Sequence, residues 1–255
     1  MTWISFSCRS AEKECFRQVK AGKVTCPVYL SLGQEYTPCA VAAYCEASEV
    51  KPQVFMQHRG HSTFLAFGGS PASLVEKLRG TEGSASIQSD VIYGHEGLMG
   101  AQVPIAVGAC YANRRPTVCF MGDAAAEEDY ALAALGWAAT RALPILFVVE
   151  DNNLAILTEK RVRRSWAVVE VARGFGLEAL DLTDEPRVLL EALRGSFQRP
   201  RLLNVNTLRQ VWHCGAGIDA KESAVFDRHA EVSALFDEGY VKTVRLLAQL
   251  QTSTA

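Results

Sequence analysis

From Pro116 to Thr158 the sequence reads PTVCFMGDAAAEEDYALAALGWAATRALPILFVVEDNNLAILT, and this stretch limits the fold more tightly than any other. Thr117 to Met121 and Ile145 to Val149 are short apolar runs rich in Val, Ile and Phe, bounded by turn or polar residues. Such runs suit strands buried on both faces. Between them Glu127 to Arg141 is alanine-rich and free of proline, which favours a helix. Strands joined by a helical crossover run parallel and finish at one edge of their sheet. Gly122-Asp123 and Asp151-Asn152-Asn153 are therefore expected to emerge side by side, at the edge where open α/β sheets bind ligands.

The flanking chain repeats the pattern. Gln53 to Met56 predicts a strand, followed by a basic and imidazole-rich loop, Gln57-His58-Arg59-Gly60-His61-Ser62. Leu177 to Leu182 and Arg201 to Thr207 predict two more strands. Helices are expected over Ser10 to Ala21, after Gly33-Gln34-Glu35, over Gly100 to Asn113, Ser165 to Phe175 and Glu185 to Phe197 (capped by Thr183 or Asp184), and around Tyr240 to Leu250. Ser70 to Arg79 carries a helix start in its own letters, a serine cap followed by proline at the first helical position. Alternating strands and helices imply an α/β fold with a doubly wound, mainly parallel sheet. The expected organisation is a single domain over residues 1–255, with 208–255 as a C-terminal extension.

A formal net charge of -2 argues against a general nucleic-acid binder, which needs a basic surface. No apolar run approaches the roughly 20 residues of a membrane span, and Met1 to Ser10 lacks the charged start and apolar core of a signal peptide. A cytoplasmic address is expected. The 8 cysteines are scattered without a CxxC pair, a pattern expected of reduced, buried thiols and not of a zinc site or disulfide framework.

Asp123, Asn152 and the carbonyl of Leu154 are three oxygen donors leaving adjacent strand ends. With water and phosphate oxygens they could complete the octahedral shell of Mg2+. The other reading is that Asp123 caps a helix and Asn152-Asn153 makes a turn, since Gly-Asp and Asn-Asn are common turn dipeptides. Residue types alone leave both open.

Asn152 lies 29 residues beyond Asp123, and this spacing resembles the thiamine diphosphate signature that begins GDG and ends NN. Leu32-Gly33-Gln34-Glu35, His58-Arg59-Gly60-His61, Gly97-Leu98-Met99-Gly100-Ala101-Gln102-Val103-Pro104 and Glu150-Asp151-Asn152 follow in the order seen in the alpha subunit of the decarboxylating component of 2-oxo acid dehydrogenase complexes. Pyruvate, branched-chain and acetoin dehydrogenases are of this kind, and the resemblance covers roughly residues 10 to 215.

The resemblance implies a thiamine-diphosphate-binding fold and a set of roles. Asp123, Asn152 and the Leu154 carbonyl would hold Mg2+ on the cofactor's diphosphate. Arg59, with His58 before it, would pair with the diphosphate, a task suited to a planar guanidinium. Gly122, Ala124 and Ala125 would sit beside the diphosphate, and Gly97 and Met99 would line the aminopyrimidine through their backbone. His61 and His213 match catalytic histidines at the mouth of the site, with Arg209 near them. The cofactor acts as an electron sink for loss of carbon dioxide from a 2-oxo acid. A beta-type subunit would supply the pyrimidine-binding fold and the activating glutamate, in an α2β2 assembly that passes the product to a lipoyl domain.

Departures from the family pattern keep two alternatives in view. Ala124 replaces the third glycine of the signature, His58 a tyrosine, and the glycine-rich segment Gly83-Ser84-Ala85-Ser86 lacks the family's histidine. A split transketolase-like or carboligating enzyme would transfer the activated aldehyde to a carbonyl. A non-catalytic scaffold subunit would keep the fold without the cofactor. His95 and His229 match no motif.

Overall fold

A computed structural model describes residues 1–80, 87–96, 98–215, 226–236, 238 and 241–242. The chain opens with α1 (Thr2–Lys20) and α2 (Tyr36–Ala47), then β1 (Gln53–Gln57), α3 (His61–Ala66), α4 (Pro71–Arg79) and β2 (Ile92–Glu96). It continues through α5 (Gln102–Asn113), β3 (Thr117–Gly122), α6 (Asp129–Thr140), β4 (Ile145–Asp151) and a small antiparallel hairpin, β5 (Leu154–Ala155) with β6 (Thr158–Glu159). After these come α7 (Lys160–Arg163), α8 (Val168–Gly174), β7 (Glu178–Thr183), α9 (Pro186–Ala192), β8 (Arg201–Asn206) and α10 (Arg228–Ser233). The chain divides into two compact units, one formed by residues 1–42, 58–89 and 208–255, the other by 43–57 and 90–207.

The second unit holds a six-stranded sheet in the order β2-β1-β3-β4-β8-β7, with every pairing parallel. This is the sheet expected from the alternating pattern. β4 is buried throughout and β3 along all but its last residue. Their valines, isoleucine and phenylalanines need cover on both faces, and a fully buried Phe147 contributes on the order of 2 to 3 kcal/mol. α5 and α6 supply cover through small residues, Ala106, Cys110, Ala131, Ala134 and Ala138, around Val103 and Leu135. β1 lies between β2 and β3, and the chain turns outward to β2 on one side and runs on from β3 to β4 on the other. The order reverses there, so the carboxyl ends of β1 and β3, Gln57 and Gly122, flank the topological switch where ligands bind in such sheets.

Several boundaries differ from expectation. β2 was not anticipated, because Ile92-Tyr93 is followed at once by Gly94 and gives no apolar run. α6 starts at Asp129, since Glu128 is extended and Ala125–Glu127 forms a separate 3-10 turn. α9 is capped by Glu185, whose carboxylate accepts from the backbone N–H of Arg187 (3.2 Å) and Val188 (3.0 Å), and it ends at Ala192. Asp184, one of the two expected caps, instead accepts from Thr207 Oγ1 at 3.3 Å.

In the first unit α1 begins at Thr2, ahead of the expected Ser10, because Ser5 to Arg9 are all buried and Cys8, Ala11 and Cys15 line one face beyond them. Ser70 caps α4 by accepting from Ser73 N–H at 3.0 Å, with Pro71 in the first turn, as its sequence announces. α3 and α10 were not anticipated. The expected helix around Tyr240 to Leu250 lies outside the described residues apart from helical positions 241–242. Gly33 has φ +95, and a Cβ on it would lie 2.1 Å from the carbonyl oxygen of Leu208. No side chain fits there, and the approach lets Gln210 N–H bond the Leu32 carbonyl at 3.0 Å. Beside this turn Arg9 is buried between two carboxylates. Its guanidinium bonds Glu35 at 2.5 and 3.1 Å and Asp227 at 2.9 and 3.0 Å. The eight cysteines are unbridged.

Candidate cofactor site

In the sheet unit, β3 and β4 pair up to Gly122 and Glu150, so Asp123 and Asp151-Asn152 leave the sheet at neighbouring points of one edge. Asp123 is only 2 % exposed. Burial and then the Asp151 charge push its carboxyl above the usual range, while Arg163 and Arg164 pull it down. Asp151 is buried too; it accepts from Lys160 Nζ and from Asn204 Nδ2 (3.1 Å), and its Oδ1 accepts from Asn153 N–H at 3.0 Å. Asn152 Oδ1 accepts from Leu154 N–H at 3.0 Å, which fixes the turn that presents the Leu154 carbonyl. Two buried carboxylates beside a carboxamide and a backbone carbonyl make a hard oxygen set, and the charge crowding that raises Asp123 is what a divalent cation relieves. These residues fit Mg2+.

The loop expected to face an aminopyrimidine is held by side chains from the same unit. Gln57, at the end of β1, donates through Nε2 to the Leu98 carbonyl (2.7 Å) and accepts through Oε1 from Gly100 N–H (3.1 Å). The Tyr130 hydroxyl donates to the Met99 carbonyl. Gly100 has φ +82, and a Cβ there would approach the Ala125 carbonyl to 2.9 Å, so the loop sits directly on the backbone after Asp123. Gly97 and the segment Gly83 to Ser86 lie outside the described residues.

The first unit gathers a second set. Arg59 donates through Nη1 to the Leu30 carbonyl at 2.8 Å, and its Nη2 lies 3.4 Å from His213 Nδ1. Tyr29 packs against both His58 (ring centroids 4.2 Å) and His213 (5.3 Å). Arg59, His58 and His213 are thus together, two residues or fewer beyond β1 in the case of His58 and Arg59. His61 is fully buried, with Nδ1 3.0 Å from Glu12 Oε1. Ser31 Oγ donates to the same Glu12 oxygen at 2.7 Å.

Burial, Arg59 and Arg209 lower the pKa of His213 to about 4, so the ring is neutral at pH 7 and can accept a hydrogen bond from Arg59. Its unfolded value is near 6.5, so the stability tied to the neutral ring is complete above pH 6.5 and is lost as pH falls toward 4. Histidine NMR is expected to show one imidazole titrating near pH 4, moving upward in Arg59→Met. A His213 midpoint that does not move in that variant would contradict the Arg59 contact.

Sequence reasoning missed Gln57, Tyr130 and the cationic group Lys160, Arg163 and Arg164. Arg163 Nη2 donates to Asp123 Oδ2, and Lys160 meets Asp151. Glu127 Oε1 lies 3.4 Å from Arg163 and 3.3 Å from Arg164, so the acidic start of α6 faces cations and not only the helix dipole. Burial raises the Glu127 carboxyl and lowers the Arg164 guanidinium. A visible signal was the run Lys160-Arg161-Val162-Arg163-Arg164 just beyond Asn152.

A parallel sheet with an oxygen-rich carboxyl edge at its switch point defines a ligand-binding α/β protein. A solved transketolase of Pichia stipitis has the same fold, with a TM-score of 0.65 over 98% of this chain and 46% of the transketolase, at 13% identity. The chain belongs to the dehydrogenase E1 component family, whose profile matches residues 6–184. Among curated relatives, the pyruvate dehydrogenase E1 component subunit alpha of Zymomonas mobilis is 27% identical over 188 residues, 68% of this chain and 52% of the relative. The subunit of the same name from Rickettsia prowazekii is 27% identical over 232 residues, 80% of this chain and 69% of the relative. The chain spans about half the length of the Zymomonas relative. Among the described residues no helix is long and apolar enough to cross a membrane.

Proposed function

We propose that this chain is the alpha-type subunit of a thiamine-diphosphate- and Mg2+-dependent 2-oxo acid dehydrogenase, acting in the cytoplasm and active only with a beta-type partner. Family membership supports the reading, and the observation that carries it is the buried Asp123 emerging beside Asp151-Asn152 at the sheet's switch edge. When bound, thiamine diphosphate supplies an electron sink for decarboxylation. Asp123, Asn152 and the Leu154 carbonyl would hold Mg2+ against its diphosphate, and Arg59 would pair with a phosphate oxygen. Gln57 and Tyr130 keep the 98–100 backbone in place, so that Met99, together with Gly97, can meet the aminopyrimidine. Gly122, Ala124 and Ala125 leave room for the diphosphate, since a Cβ at Gly122 would meet nothing within 4 Å.

His213, neutral at pH 7 with its Nδ1 turned to Arg59, is assigned to the catalytic mouth as a hydrogen-bonding imidazole and not as a strong base. His61, held by Glu12, is assigned to the same catalytic mouth. Residues 1–255 are read as one cofactor-binding domain that takes the pyrimidine half and the activating glutamate from the partner, in an α2β2 assembly delivering to a lipoyl domain. The likeness to transketolase concerns the fold alone, so the oxidative reading is preferred to the carboligating one. Co-expression with a beta-type partner and a screen of 2-oxo acids should reveal carbon dioxide release that depends on thiamine diphosphate and Mg2+. A complex that binds both but releases none from any 2-oxo acid would defeat the activity.

A further inference from the structure

Arg163 and Arg164 belong to no signature, yet they carry the largest concentration of unmet donors at the sheet edge. Their side chains are 12% and 3% exposed. Among the described residues the Nε and Nη1 atoms of both are buried without a hydrogen bond, and Arg164 Nε has only an ion-pair approach to Glu127 Oε1 at 3.3 Å. Leaving one such group unsatisfied costs about 1 to 3 kcal/mol, more for a charged group, so guanidinium donors aligned on one segment mark a place for an anion. There is room for one beside Arg164, which lines a cavity of about 480 Å³ with Asp151, Asn153, Lys160, Trp166 and Asn204, while Arg163 and Asp123 stand outside that lining. Asp151 and Asn153 flank Asn152, which puts this cavity against the edge assigned to the metal. The Arg164 guanidinium carbon lies over the Trp166 ring, 4.5 Å from its centroid, a cation–π contact.

The charges sharpen the assignment. Asp123, Asp151 and Glu127 face Lys160, Arg163 and Arg164, three against three. A divalent cation placed on Asp123 competes with Arg163 for the same carboxylate and adds two positive charges to a balanced set. Displaced from Asp123, the buried Arg163 would keep, among the described residues, a Glu127 carboxylate 3.4 Å away that it shares with Arg164, which is weak compensation for a buried charge. It therefore needs a new anion whenever the metal arrives, and a diphosphate arrives with the metal.

We propose that Arg163, supported by Arg164, is a diphosphate-binding residue that is exchanged from Asp123 to the phosphate oxygens as Mg2+ takes the carboxylate. Metal and diphosphate then bind as one unit, each weak without the other. The inference rests on the cofactor assignment above and deepens it.

The exchange gives opposite signs for two ligands of one variant. In the full chain assembled with its partner, Mn2+ alone followed by electron paramagnetic resonance should bind several-fold more tightly to Arg163→Gln than to the natural chain, because its competitor is gone. Thiamine diphosphate with Mn2+, followed by calorimetry, should bind about tenfold more weakly or worse, because a charge-assisted fork is lost. Arg163→Lys keeps a charge opposite Asp123 and guards against a folding defect; it should leave Mn2+ binding close to normal and still weaken the diphosphate. Both affinities unchanged, or both falling together, would overturn the exchange while leaving the cofactor assignment standing. A natural chain that, assembled with its partner, binds no thiamine diphosphate with Mn2+ would overturn both.

Discussion

Asp123→Asn is expected to weaken binding of Mg2+ and thiamine diphosphate by about 100-fold or more, with little loss of helix and sheet. Loss of groups that merely support metal ligands costs about 10- to 100-fold, and Asp123 is assigned as a ligand itself. Asparagine keeps the volume and one acceptor oxygen, so the sheet edge need not collapse. It removes the charge, and among the described residues it leaves Arg163 with Glu127, at 3.4 Å, as its carboxylate partner. The pH dependence has a definite sign. Burial and Asp151 raise the Asp123 carboxyl above its unfolded value, so the ionised form that a metal requires is disfavoured earlier on acidification than for an exposed aspartate. Cofactor affinity of the natural chain should therefore fall as pH drops through that raised value. Asp123→Asn should be weak throughout and flat. Calorimetric titration across pH checks both statements, and an affinity equal to that of the natural chain would remove Asp123 from the metal.

Arg9→Met is expected to cost about 3 to 5 kcal/mol of stability, the range for breaking a buried pair by deleting one partner. Four hydrogen bonds from Arg9 neutralise Glu35 and Asp227, and Glu35 has no exposed surface. Methionine fills similar space but, among the described residues, leaves Glu35 with backbone donors such as the Gly33 N–H at 3.1 Å and no cation. Burial already holds the Glu35 carboxyl above its ordinary value, and Arg9 is the main group pulling it back. Without Arg9 the folded chain should take up a proton on Glu35 more readily than the unfolded chain. The deficit should then be largest near neutral pH and shrink as pH falls through the raised Glu35 value. Asp227 acts in the opposite sense: Arg9 is chief among the groups that lower its carboxyl, and the stability this provides is present above the unfolded value and lost on acidification. Urea unfolding of both chains at several pH values measures the difference. A deficit below about 1 kcal/mol would place Arg9 among ordinary surface pairs.

The sheet was legible where burial acts on both faces. β3, β4 and β8 are apolar runs that only an interior parallel strand explains, and the crossover between β3 and β4 fixes the shared edge without any side-chain detail. β2 was not legible, because at the sheet margin Tyr93 is 41% exposed and two residues of apolar signal carry no period. The start of α1 was hidden by Ser5 and Ser7, polar residues that pack inside. At the candidate site, Asp123 and Asn152 could be found because strand ends are set by topology. Their counter-ions could not: Arg163 reaches Asp123 across 40 residues of sequence, through a hairpin and the four-residue α7 that no hydrophobic pattern announces. The same holds for Glu12, whose contact with His61 joins two helices and shows in neither.

The central claim is that the edge carrying Asp123, Asn152 and Leu154 is a metal-dependent diphosphate cradle. Calorimetric titration of the full chain, assembled with its partner, with thiamine diphosphate in the presence of Mg2+ and again in the presence of a chelator tests this most directly. Saturable one-to-one binding that disappears with the chelator is the predicted result; binding that is absent in both conditions, or equal in both, would contradict it.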